Sequence, residues 1–151
     1  MPHSTKGVIA GFLATVVISV LMMLLSTMGQ PQFDIVTLID RLGSIGRGGA
    51  WVDHFIVGAL FWGPIFSGFE TVTPKAPLWQ KGLAFGAITW LLMMLIFMPV
   101  VGAGFFGTGL GIAEPLGMLF LHLVYGAVLG VAFGVIDTQV EALASRRAPP
   151  A

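Results

Sequence analysis

Cysteine is absent from this 151-residue chain, and only 9% of its residues are charged. Without cysteine there is no disulfide framework, no thiolate zinc site and no thiol redox centre. A soluble domain carries about 25% charged residues, so this chain cannot cover a globular surface with them. Seven Lys and Arg balance seven Asp and Glu, which removes the basic field of a nucleic-acid binder. Tyrosine occurs once and histidine three times, so side chains able to do chemistry are few. What abounds is apolar: 56% hydrophobic residues and a mean hydropathy of +0.95. Such hydrophobicity excludes intrinsic disorder and leaves an integral membrane protein, with the bilayer as its first partner.

Four apolar stretches each approach the ~20 residues that a helix needs to cross ~30 Å of hydrocarbon. They run from about 7–28, 51–69, 82–101 and 115–136. Unbroken runs of this kind are not the ten-residue alternating segments of a membrane barrel. The expected fold is therefore an all-α, single-domain, four-helix membrane bundle. The first run exceeds the 7–15 apolar residues of a signal peptide and lacks a small-x-small cleavage site, so it reads as a retained span. With the N-terminus inside, Lys6, Lys75, Lys81, Arg146 and Arg147 lie inside, and Arg41 and Arg47 outside. Five cations against two place both termini in the cytoplasm. Trp51 and Trp79 fall where interfacial anchors belong, and residues 138–151 read as a frayed cytoplasmic tail.

The first outer loop carries Phe33, Val36, Ile39 and Leu42 at three-residue intervals, widened by Ile35 and Leu38, with Asp34 and Arg41 off the stripe. That pattern suits a short helix lying in the membrane interface. The second, Gly102 to Gly111, is apolar and glycine-rich, so its backbone must be covered by protein or sit at the interface.

The chain reads as two related pairs of spans. Lys6-Gly7…Gly11 matches Lys81-Gly82…Gly86, Leu21-Met22-Met23-Leu24 matches Leu92-Met93-Met94-Leu95, and His54…Gly58-Ala59 matches His122…Gly126-Ala127. The offsets drift from 75 to 71 to 68. Two-span repeats share one orientation, and their axis lies along the membrane normal. Such an axis sets His54 and His122 at similar depth. Gly7 and Gly11, Gly82 and Gly86, and Gly126, Gly130 and Gly134 have the small-xxx-small spacing of close helix approach, and Pro64 marks a kink. Met22, Met23, Met93 and Met94 offer soft thioethers suited to copper, although methionine more commonly fills packing gaps.

Ionisable groups within spans are functional candidates because they are costly there. Asp53, His54, Glu114 and His122 are the polar groups in or near spans. One reading has His54 and His122 ligating b-type haem, with Gly58 and Gly126 one turn on making room for the macrocycle. The plainer reading has each histidine hydrogen-bonding within the bundle. No nucleophile triad, carboxylate pair, phosphate loop or dinucleotide fingerprint occurs. The expectation is thus a non-enzymatic accessory or scaffold subunit of a larger membrane assembly, without a resident cofactor. A haem b redox module is the alternative, and a small-solute or proton carrier the second.

The segments Lys6 to Thr15, Trp90 to Met94 with Met98 to Gly107, and His122 to Gly130 resemble a group of small four-span bacterial membrane proteins grouped as a domain of unknown function. The resemblance extends over nearly the whole chain. It implies a bundle in a bacterial membrane and assigns no functional residue; the scaffold expectation, for its part, makes other membrane subunits or further copies the partners.

Overall fold

The computed structural model describes residues 1–29, 35–73, 75–111 and 113–147. Phe33, Asp34, the Arg41 side chain and residues 148–151 of the tail lie outside the described residues. Among the described residues, four helices are long and apolar enough to cross a bilayer: α1 (His3–Thr27), α3 (Gly46–Val72), α4 (Leu78–Val100) and α5. The last runs unbroken over Ala113–Arg147. A short helix, α2 (Ile35–Gly43), lies between the first two.

These helices overrun the apolar runs at several ends. The largest difference is in α5, which continues to Arg147 where hydropathy suggests an end near Ile136. Hydropathy marks where lipid stops, not where helix stops. Glu141-Ala142-Leu143-Ala144 are strong helix formers, and Arg146 suits the negative end of the helix dipole. At 1.5 Å per residue, 35 residues span about 50 Å, well beyond the ~30 Å hydrocarbon core.

Alpha-helical geometry fails at two places, each just ahead of a proline. In α3 the segment Ile56–Trp62 is π-helical and precedes Pro64. In α4 the segment Met93–Phe97 is π-helical and precedes Pro99. Proline offers no N–H to the carbonyl four residues back and its ring crowds that carbonyl. Widening the preceding turn accommodates both defects.

Glycine sets the helix spacing. Gly7 of α1 meets Gly63 of α3 so closely that a Cβ on either would collide with the other's carbonyl oxygen, and a Cβ on Gly11 would lie 2.8 Å from the Gly58 oxygen. In the other pair, Gly82 and Gly126 meet in the same reciprocal way, Gly86 lies against the His122 carbonyl, and Gly130 against that of Leu78. Gly134 faces the Leu78 side chain, where a Cβ would stand 3.0 Å from Cδ1. Backbone carbonyls thus sit where side chains would otherwise separate the helices.

The result is a bundle in which α1 packs against α3 and α5, and α4 runs along α5. Helices α3 and α4 meet chiefly through rings, with Trp62, Phe66 and Phe69 all against Phe85. Phe133 of α5 closes on Phe66. This aromatic layer fills the bundle toward the end that bears both termini. Beyond it the same end is tied by two ion pairs, Lys6 to Asp137 and Lys81 to Glu70 (3.3 Å), and His3 Nε2 lies within hydrogen-bond distance of Glu70 at 2.9 Å. Lys81 also donates to the Glu70 carbonyl at 2.6 Å.

At the opposite end α2 folds onto the bundle, burying Val36 and Leu38 while Leu42 faces out. The glycine-rich connection is held by Trp90, whose Nε1 donates to the Pro115 carbonyl at 2.9 Å and whose ring meets Phe106. Gly104 and Gly107, with φ of 78° and 65°, take left-handed conformations that this turn requires.

Candidate functional site

Because α3 and α4 touch mainly through the aromatic layer, they part above it, toward the α2 end. The parting opens a cavity of about 570 Å³, within the ~300–1,000 Å³ of small-molecule sites. Thr15, Ile18 and Met22 of α1 form its back, and Met118, Leu121, His122 and Tyr125 of α5 one side. Ile35 and Ile39 of α2 cover it. Both π-helical segments line it, through Val57, Gly58, Phe61 and Trp62 of α3 and Met93, Ile96 and Phe97 of α4. Val57, Phe61 and Ile96 are also exposed on the bundle surface. The cavity therefore opens sideways between α3 and α4, toward the space that hydrocarbon fills in a bilayer.

The wall is mostly apolar, and its hydroxyl hydrogens are committed. Thr15 donates to the Gly11 carbonyl at 2.8 Å and Thr89 to that of Gly86 at 3.0 Å. Tyr125 reaches across from α5 to the Gly58 carbonyl of α3 at 2.6 Å. The Nδ1 of His122 lies 2.8 Å from the Met118 carbonyl one turn earlier. A carbonyl only accepts, so Nδ1 carries the hydrogen, and a neutral ring then leaves Nε2 as an acceptor.

The structure brings His54, His122 and Gly58 to this one cavity. Gly126 is elsewhere, pressed against Gly82. The His54 ring packs edge-on to Trp51 and Phe55, with its Nε2 buried. Asp53 is exposed, one position around the helix. Glu114 is 3% exposed at the start of α5 and does not line this cavity. Of the four methionines, Met22 and Met93 line the cavity, Met94 is buried in the core and Met23 faces out. Among the described residues no three His, Cys, Asp or Glu side chains cluster as a metal site would require.

Sequence reasoning did not anticipate the Tyr125 bridge, the Thr15 and Thr89 walls or the ion-paired end. Tyr125 had one available signal: a lone tyrosine deep in an apolar span needs a buried partner for its hydroxyl. Lys6 and Asp137 are 131 positions apart, and no local pattern joins them.

No curated protein and no solved structure matches the chain. Residues 1–144 match the family of unknown function DUF6789. With four membrane-length helices and nearly its full length matched, the chain is a multi-pass helical membrane protein that belongs to the DUF6789 family.

Proposed function

We propose that this protein is a non-enzymatic component of a bacterial inner membrane, an accessory or scaffold subunit of a larger assembly, with both termini in the cytoplasm. One observation carries the reading: polar side chains within the spans are satisfied by backbone carbonyls, Thr15, Ser19, Ser67 and Thr89 within their own helices and Trp90 and Tyr125 across to α5 and α3. Groups so engaged are positioned for packing and are poorly placed to transfer protons or attack a substrate.

The haem alternative gains support from His54 and His122 sharing a cavity, yet Gly126 is turned to α4 and His54 Nε2 is buried among rings. A reducible Soret band from the purified protein would restore it. The carrier alternative is weakened by the aromatic layer and ion pairs that fill the terminal end. A parallel two-plus-two repeat is supported by Lys6 and Lys81, each at the start of its pair's first helix and each bonded to a carboxylate on the other pair's second helix. In that relation Gly63 takes the place of Gly126, and Gly58 that of His122, so the histidine match shifts by about one turn. The π-helical segment Ile56–Trp62 is consistent with a change of one residue between these pairs, since Gly58 and His122 are 64 positions apart and Gly63 and Gly126 are 63. We further take α2 to lie at the outer interface, above the cavity.

Photo-crosslinking residues placed singly at Phe12, Leu60, Leu95, Leu116 and Val131, all outward-facing, test the scaffold role in intact cells. One contiguous face should yield a discrete protein adduct while the others yield lipid adducts alone. Lipid adducts on every face would overturn the scaffold role.

Orientation is tested separately, and the absence of native cysteine makes the experiment clean. Ser44→Cys and Thr108→Cys should react with an impermeant maleimide added to intact spheroplasts, and Ser145→Cys only after lysis. Labelling of Ser145→Cys before lysis would reverse the topology.

A further inference from the structure

We propose that the lateral cavity binds a lipid-soluble alcohol, an amphiphile with a long or isoprenoid apolar body, whose hydroxyl donates to Nε2 of His122. Three observations lead there. The cavity mouth between α3 and α4 is rimmed by Val57, Phe61, Ile96 and Val100, every one exposed on the bundle surface. Entry is therefore from the bilayer, and an occupant must be soluble in hydrocarbon. The volume of about 570 Å³ accommodates such a body.

The polar end is specified by hydrogen bookkeeping within the wall. Thr15, Thr89 and Tyr125 have given their hydrogens to backbone carbonyls. His122 has turned Nδ1–H back to Met118, and Nε2 is left as an acceptor in a mainly apolar space. An acceptor without a donor in such a space costs free energy, and a ligand that supplies a donor removes that cost. A hydroxyl supplies one. An ether, ketone or ester only accepts, and it leaves His122 unmatched. The terminal end beneath the cavity is closed by Phe66, Phe85 and Phe133, so the occupant enters and leaves by the side. This inference is independent of the scaffold role: a bundle can serve an assembly with its cavity filled or empty.

The test uses the full chain in phosphatidylcholine nanodiscs with two photoactivatable probes, a diazirine-bearing octadecanol and its methyl ether. Labelled positions are mapped by peptide mass spectrometry. The alcohol should label cavity residues such as Leu121 and Met93, and excess octadecanol should compete. The ether should label them roughly threefold to fifteenfold less, the range for one hydrogen bond within a membrane. His122→Phe should bring the two probes level, and Val57→Trp, which fills the mouth, should lower both. Equal labelling by the two probes in the unaltered protein would overturn the hydroxyl recognition, and that comparison needs no variant to fold. A preference that survives in His122→Phe would overturn the role of His122. Labelling confined to outward residues such as Leu60 and Leu116 would overturn the site itself.

Discussion

Substituting alanine at Gly82 should cost more stability than substituting it at any exposed glycine of the bundle. Two effects compete. Alanine improves helix propensity by up to about 1 kcal/mol. Against that, its Cβ falls on the carbonyl oxygen of Gly126, whose own Cα faces the Gly82 oxygen in return. The obstacle is backbone, so no rotamer change relieves it, and α4 and α5 must separate along their whole contact. Overpacking of a tight core costs about 1–3 kcal/mol, and a rigid obstacle puts Gly82→Ala at the upper end. Gly68 of α3 provides the control, because nothing lies within 4 Å of a Cβ there. Gly68→Ala should be neutral or stabilising by up to about 1 kcal/mol. Unfolding in mixed micelles, followed by circular dichroism on titration with dodecyl sulfate, measures both. Equal stabilities for the two variants would show that the α4–α5 contact is not set by glycine.

Lys6→Met should be the most damaging change at a charged position. Lys6 is 8% exposed and its ammonium is paired with Asp137. Removing one member of a buried pair typically costs about 3–5 kcal/mol, because the remaining charge is stranded. The Asp137 side chain keeps 32% of its exposure, so water reaches it and about 3 kcal/mol is the expected figure. The double variant Lys6→Met with Asp137→Leu removes both charges and should regain most of the loss. A double-mutant cycle reads the coupling directly. Additive single effects, with no recovery in the double variant, would mean that the pair contributes nothing beyond the two separate residues.

Sequence alone reveals a good deal of this molecule, for identifiable reasons. Four runs of apolar residues long enough for a bilayer are visible because lipid leaves few choices of side chain. The spacing of Gly82 and Gly86 is visible because close approach recurs once per helical turn. Other features escape because their cause is remote or competing. Pro64 suggests a kink, but whether a proline bends a helix or widens it into π geometry depends on what packs beside it. Pro99 likewise stands inside α4, and the π-helical segment Met93–Phe97 ahead of it has no sequence signature of its own. The end of α5 is set by helix propensity beyond the lipid, so a hydropathy reading stops about ten residues early. The cavity itself is invisible in the chain, since Thr15, Val57, Met93 and His122 come from four separate helices.

The π-helical segments carry a consequence for how such a chain can change over generations. In an uninterrupted α-helix, one inserted or deleted residue rotates everything beyond it by about 100°, which would turn a buried stripe out into lipid. Ile56–Trp62 and Met93–Phe97 already hold wider turns that can absorb or release a residue. Each of α3 and α4 is thereby divided into two separately phased lengths. The glycine-packed length near the termini can keep its register while the cavity-facing length is re-aimed. Length variation inside a membrane span, normally forbidden, becomes a means of reshaping the cavity.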